Sequence, residues 1–363
     1  MPKTTALIPG AGPENNYRWS SSIESDVKVR LEQLNMPFEI RYDATVRQRI
    51  KEYVTNGYRD TEIMLGRSSV YFPIFEHYLH LYGLPQELRY LPIVETGLAP
   101  KARSYAGAAG LWQFMPASAR LYDLKVNGQV DERLDPYRST EAAVRMLGRL
   151  YKQYKDWSLV LAAYNCGPVR VNAAIKQAGC RDFYTLAEFL PRETREYVPR
   201  FIAAAYIANY YNAHDLKPKP NGWINEELRA VRVTERLPFS EIAHITGLSV
   251  HELRRLNPAF QQNVIPASTQ GYLLLLPVNA YRPFEVFLNN RNGVQEEAFD
   301  MLYPTLHRMY YVVRPGETME YINRRFQCTP AEVQRWNQLP TPEVTVNQEL
   351  LLYVATPDYL ARP

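Results

Sequence analysis

The chain has 363 residues, 46% hydrophobic and 22% charged, which excludes a disordered chain and points to a folded protein of two or three domains. Its net charge of +4 suits an anionic wall polymer or a membrane surface and is too small to demand nucleic acid. No apolar run reaches the roughly 18 residues of a membrane span, and the opening MPKTTALIPGAGPENN lacks the apolar centre of a signal peptide. The chain as given is therefore expected to be soluble, with its native signal peptide absent.

Residues 1–35 are polar and weakly periodic and are expected to form a disordered or draped leader. From 36 to 215 apolar residues recur at three-four spacing, as in SVYFPIFEHYLHLYGLP, TEAAVRMLGRLYKQY, WSLVLAAYN and TREYVPRFIAAAYIANYY, which predicts an all-α domain. Gly83-Leu84-Pro85 stops one helix and starts the next. That next helix sets Leu88, Leu91 and Glu95 on one stripe, directly before the Gly- and Ala-rich run GLAPKARSYAGAAGLWQFMP. A carboxylate on an apolar stripe is either a snorkelling surface glutamate or a buried one. Burial favours the protonated form, which a general acid requires. In the polar loop YDLKVNGQVDERLDP, Asp123, Asp131 and Glu132 read as solvated.

Residues 216–228 begin LKPKPNGW and read as a linker. After it the texture changes. Short strands (LRAVRV, YLLLLPV) flank a helix-turn-helix pattern in a module at 229–280, a connector with turn signals follows at 281–306, and the same order of elements returns at 307–356. Sliding Ser240–Pro258 onto Glu320–Gln338 matches Ile242 with Ile322, Glu252 with Glu332, Arg255 with Arg335 and Asn257 with Asn337. The predicted fold class is α+β multidomain: an all-α domain, then two small βααβ modules.

The three cysteines, Cys166, Cys180 and Cys328, leave open one Cys166–Cys180 bridge in an oxidising compartment or three inert buried thiols. No metal or organic cofactor is expected, because His77 and His80 share a helix face without a third ligand in view.

PIVETGLAPKARSYAGAAGLWQFMP, followed by AAYNCGP and then TREYVPRFIAA, resembles the family 1 lytic transglycosylases, enzymes with a lysozyme-like helical fold that cut peptidoglycan glycan strands. The family's blocks read here as Glu95-Thr96, GLWQ (110–113), AYN (163–165) and Tyr197. Trp112 and the terminal repeats resemble the membrane-bound lytic transglycosylase D branch, whose C-terminal modules are lysin motifs (LysM). Thr96 stands where the family usually has Ser, and Cys166 where it usually has Ala. The resemblance implies a bacterial cell-envelope enzyme, periplasmic or outer-membrane-associated, acting on N-acetylglucosamine-containing chains.

It also implies site roles. Glu95 is expected to be general acid and then base. The N-acetyl group and 6-hydroxyl of the muramic acid replace the second carboxylate of most glycosidases. Substrate-binding roles are expected for Ser104, Gln113, Met115, Tyr164, Asn165 and Tyr197. Ser104 reads equally as a cap, Gln113 as a helix-start surface residue, and Met115, Tyr164 and Tyr197 as packing residues. A goose-type hydrolytic lysozyme and a catalytically silent wall-binding protein are the alternatives. The second module, with YYVVRPGETMEYI, is expected to carry most of the glycan affinity and the first to act as a spacer; Trp336, aligned with Leu256, reads as a core anchor. The repeats are expected to be separable from catalysis.

Overall fold

The computed structural model describes residues 17–219, 228–292 and, apart from 315, 316, 327 and 338, 307–354. The helical part begins earlier than expected. Helix α1 (Ser21–Glu32) starts where the Ser20 hydroxyl accepts from the Ile23 amide, and it buries Val27 and Leu31 in the common core. Residues 17–35 therefore do not drape, while 1–16 lie outside the described residues. Only those two of its twelve residues are buried, so the apolar signal was faint.

Helices α2 (Ala44–Val54) and α3 (Tyr58–Leu81) follow, and Gly83 (φ +63°) turns the chain out of α3 as the sequence predicted. A 3₁₀ turn over Gln86–Tyr90 leads into α4 (Leu91–Thr96), whose Leu91 is fully buried together with Leu88. Then come α5 (Pro116–Leu121), α6 (Pro136–Tyr154), α7 (Trp157–Cys166), α8 (Pro168–Ala178), α9 (Phe183–Leu186), α10 (Arg192–Arg195) and α11 (Tyr197–Tyr210). Helix α11 is apolar on nearly every face, and a helix of that kind belongs at the centre. It packs against α2, α4 and α7, and the run Ala203–Ala205 lets its neighbours approach closely.

The start of the expected linker is packed rather than free. Leu216 is buried, and the Lys217 and Lys219 amides donate to the side chain and carbonyl of Glu62 at 3.1 and 2.9 Å. Gly66 in α3 makes room for this crossing, since a Cβ there would stand 1.7 Å from the Lys219 carbonyl oxygen. Residues 220–227 lie outside the described residues.

In the first module β1 (Leu228–Val233) pairs antiparallel with β4 (Tyr272–Pro277), Leu228 opposite Pro277. Between them lie β2 (Leu237–Pro238), α12 (Phe239–Thr246), α13 (Val250–Leu256) and β3 (Val264–Ile265), with β2 paired to β3. The expected connector is corrected here. Its first part is helix α14 (Val278–Asn292), which buries Ala280, Tyr281 and Phe284 in the module's core, while 293–306 lie outside the described residues.

The second module pairs β5 (His307–Val312) with β6 (Glu349–Val354) around α15 (Met319–Phe326) and α16 (Pro330–Asn337). Trp336 packs against its core of Ile322, Phe326, Val333, Leu350 and Leu352. Three of the four repeated identities have structural reasons. Ile242 and Ile322 are both fully buried. Glu252 and Glu332 close equivalent capping boxes with Ser249 and Thr329. The Asn257 and Asn337 amides donate to the carbonyls of Leu253 and Val333, four residues back, at 3.1 and 2.8 Å.

Candidate active site

Helix α4 is short because its end is forced. Gly97 (φ +56°) and Leu98 (φ +60°) both adopt left-handed backbone, and their amides close back on the carbonyls of Ile93 and Pro92. Glu95 therefore stands in the last turn, just before the chain reverses. The Thr96 hydroxyl donates to the Pro92 carbonyl at 3.1 Å and lies 3.5 Å from the Leu111 carbonyl, so it keeps a polar hold on both the helix and the GLWQ segment.

Glu95 as a residue is half-buried, yet its carboxyl is deep enough that loss of solvation dominates and pushes its pKa from 4.5 up to about 7. The Tyr197 hydroxyl, at the start of α11, donates to Glu95 Oε1 and works the other way, favouring the ionised form. The charge of Glu193 raises the pKa further and that of Arg200 lowers it. Such a carboxyl exchanges a proton near neutrality. Burial likewise holds the phenols of Tyr164 and Tyr197 well above their ordinary value, reinforced by the Glu95 charge, so both remain hydrogen-bond donors.

The GLWQ segment is a pinched loop. Ala109 and Phe114 exchange backbone hydrogen bonds at 3.1 and 3.2 Å, and Gln113 sits between them at φ +48°, a strained position for a side chain of its size. Trp112 is fully buried, edge-on to Phe75 at 5.1 Å, with its indole N–H donating to the Thr140 hydroxyl at 2.9 Å. Its backbone carbonyl accepts from the Tyr164 hydroxyl at 2.7 Å. The Gln113 amide donates to the Gly110 carbonyl at 2.8 Å, which leaves its oxygen available to a ligand.

The structure thus brings Glu95, Tyr197, Tyr164 and the GLWQ loop into one connected group. Asn165, next to Tyr164 in the chain, is held separately, its oxygen accepting from the Thr194 hydroxyl on α10 at 2.7 Å. Ser104 is exposed and starts no helix; its hydroxyl accepts from the Ala108 amide at 3.0 Å and closes the turn 104–108. Met115 is 41% exposed at the start of α5, where its thioether is open to a ligand. Cys166, Cys180 and Cys328 are all free thiols.

One reading fails. Asp131 and Glu132 are not solvated but buried, and only Asp123 is exposed. Asp131 grips the Arg133 guanidinium with both oxygens, at 2.8 and 2.9 Å, and meets Arg103 at 3.0 Å. Glu132 accepts from the Lys125 amide at 2.7 Å. Burial alone would raise the Asp131 pKa, but Arg133 and Arg103 outweigh it and hold the carboxyl below its ordinary value. The Arg133 side chain then donates to the carbonyls of Gly107 and Phe114 at 2.7 and 3.1 Å, so it clamps the GLWQ loop. The alternation of Asp131 and Arg133 two residues apart was the available signal for this pair.

Residues 73–186 match the Transglycosylase SLT domain, 227–291 the LysM-like domain of lytic transglycosylase MltD, and 311–352 the LysM domain. Glu95, Gln113, Tyr164 and Asn165 fall within the first match, and Tyr197 lies beyond it. The chain is 32% identical over 275 residues to "Membrane-bound lytic murein transglycosylase D" of Escherichia coli (strain K12), covering 74% of this chain and 60% of that protein. It is 25% identical over 207 residues to "Soluble lytic murein transglycosylase" of the same strain, covering 53% of this chain and 31% of the relative. The crystal structure of the 70 kDa soluble lytic transglycosylase from Escherichia coli overlaps 51% of this chain and 33% of that one at 21% identity, with a TM-score of 0.35. Along the chain these matches run in the order transglycosylase SLT domain, LysM-like domain of the MltD kind and LysM domain, and the chain spans 60% of the length of the membrane-bound relative.

Proposed function

We propose that this chain is a peptidoglycan lytic transglycosylase, cleaving the β-1,4 bond between N-acetylmuramic acid and N-acetylglucosamine and leaving 1,6-anhydromuramic ends. The observation that carries this reading is the Glu95 carboxyl, raised to about 7 and bonded to Tyr197, while Asp131 and Glu132 are committed to other partners. Protonated Glu95 delivers its proton to the glycosidic oxygen as the bond to C1 breaks. The muramic N-acetyl group assists departure. The C6 hydroxyl of the same sugar then attacks C1, and ionised Glu95 takes that hydroxyl's proton, so the carboxyl ends as it began and no water is consumed. Tyr197 steadies the carboxylate between the two transfers. Gln113, Tyr164 and Asn165 are proposed to hold the sugar, with Met115 at the edge of the cleft; Ser104 is proposed to shape the loop.

The LysM match at 311–352 supports glycan binding through N-acetylglucosamine-containing chains. The name of the relative "Membrane-bound lytic murein transglycosylase D" supports a place in the cell envelope, periplasmic or outer-membrane-associated. No helix among the described residues is long and apolar enough to cross a membrane.

Hydrolysis is the second reading, and one observation favours it: the charge of Glu193, exposed on α10, reaches Glu95. A lysozyme of this kind would use that carboxylate to activate water. The test of the proposal is Glu95→Gln. It should release no soluble glycan from purified sacculi while still folding and binding them; substantial turnover in this variant would place the acid elsewhere.

A further inference from the structure

The hairpin 125–132 leaves the helical domain and enters the first LysM-like domain. Asn127 shapes its tip, its side-chain oxygen accepting from the Gln129 and Val130 amides at 2.9 and 2.8 Å. There the hairpin adds to the domain's backbone: the Asp131 amide donates to the Ala259 carbonyl, and the Gln261 amide to the Gln129 carbonyl, both at 2.9 Å. Val130, 1% exposed, packs in the same core as Leu237, Phe260 and Ile265. In the other direction Ala230, Leu256 and Leu275 of this domain belong to the core of the helical domain. This is continuous packing and not a tether.

The same hairpin carries Asp131 and Arg133. Arg103, which also binds Asp131, reaches the Gln261 side chain at 3.4 Å. Arg133 clamps Gly107 and Phe114 on either side of Trp112-Gln113, and its carbonyl lies so close to Gly110 that a Cβ there would stand 1.8 Å away. An unbroken series of contacts therefore runs from Ala259–Gln261 through Asp131 and Arg133 to the residues that set Gln113. Separating the buried Asp131–Arg133 pair would leave an uncompensated buried charge, and that penalty holds Arg133 in place beside the strained backbone of this loop.

We infer that the first LysM-like domain is part of the catalytic apparatus: through the hairpin and the Asp131–Arg133 pair it positions the loop presenting Gln113, rather than serving only as a spacer or glycan tether. The inference rests on the functional reading above. Its test uses the full chain with Val130→Asp, which places a charge in the domain core, and Gln261→Pro, which removes one of the two joining amide bonds. Hydrogen exchange at 129–131 reports docking, exchange at 107–114 reports the active-site loop, and kcat and KM are measured on short soluble glycan strands. An undocked variant should show faster exchange at 107–114, unchanged exchange in α11, and a kcat at least tenfold lower with KM within threefold of the parent. If Val130→Asp does not fold, Gln261→Pro carries the same readouts. Loss of protection at 129–131 with parental exchange at 107–114 and parental kcat would overturn the inference, as would a lowered kcat in either variant whose hairpin stays protected. A parent chain that cleaves no glycan would reject the functional reading instead, and the two exchange measurements would still decide the coupling.

Discussion

The Tyr197 phenol donates its hydrogen bond to the carboxyl of Glu95, which lies 102 positions earlier in the chain. One residue opens the central helix and the other lies in the last turn of the six-residue α4, so the packing of α11 on α4 sets this contact. The bond favours the carboxylate and therefore restrains the rise that burial causes.

Replacing Tyr197 by Phe should remove that restraint and move the alkaline limb of activity upward from about pH 7, because Glu95 must be protonated to begin the reaction. A hydrogen bond to a charged group is worth about 1.5–3 kcal/mol, so kcat should fall roughly ten- to a hundredfold. A pH–rate profile of the variant checks both. A limb that moves downward would show that Tyr197 does not stabilise the ionised form.

The same raised pKa affects stability. On folding, Glu95 goes from 4.5 to about 7, so the folded chain binds this proton more tightly than the unfolded one. Stability from this group is thus fully present below about pH 4.5 and is lost as pH rises through about 7. Glu95→Gln, which stays neutral, should match the parent at pH 4 and exceed it at pH 8 by roughly 1–3 kcal/mol, allowing for the exposed part of the residue. Thermal melts at the two pH values measure the difference.

Gly110→Ala should cost at least about 2 kcal/mol and lower activity with it. Its φ of +81° already disfavours a side chain, and the atom a Cβ would strike is the backbone oxygen of Arg133, which has no rotamer to move to. Denaturant unfolding at pH 7 provides the check.

Removing residues 293–363 should weaken binding to intact sacculi yet spare cleavage of short soluble strands, since the second LysM module has its own separate core. Removal from 220 onward, which also takes away the first module but keeps the packed segment 216–219, should instead cost most of the activity. Pelleting with sacculi and turnover of soluble strands distinguish the two truncations.

Much of the fold was legible because three-four spacing survives wherever a helix buries one face, and the paired strands of the modules include short apolar runs such as YLLLLP and ELLLYV. The site was legible where residues with their own chemistry cluster in short blocks, as Glu95, the GLWQ segment and the AYN segment do. Asp131 and Glu132 were misread because local polarity predicts solvation, whereas their burial is decided by Arg133, Arg103 and a backbone amide that only the folded chain brings to them. Helix α14 was missed because Pro283 and its asparagines look like turn residues, and only the core formed with Ala280 and Phe284 makes it a helix. The docked state of the first module was invisible for a related reason: Val126 and Val130 are the only apolar residues in the polar hairpin 125–132.

Mass spectrometry of the products released from purified peptidoglycan tests the central claim most directly. With one carboxyl serving as acid and base and the substrate's own 6-hydroxyl as nucleophile, the glycan ends should be 1,6-anhydromuramic acid, lighter than the hydrolysed sugar by one water. An oriented intramolecular hydroxyl can replace an activated water because such placement is worth roughly 7–11 kcal/mol of barrier. Ends carrying the full mass of the hydrolysed sugar would contradict the transglycosylase and give Glu193 the role of a base.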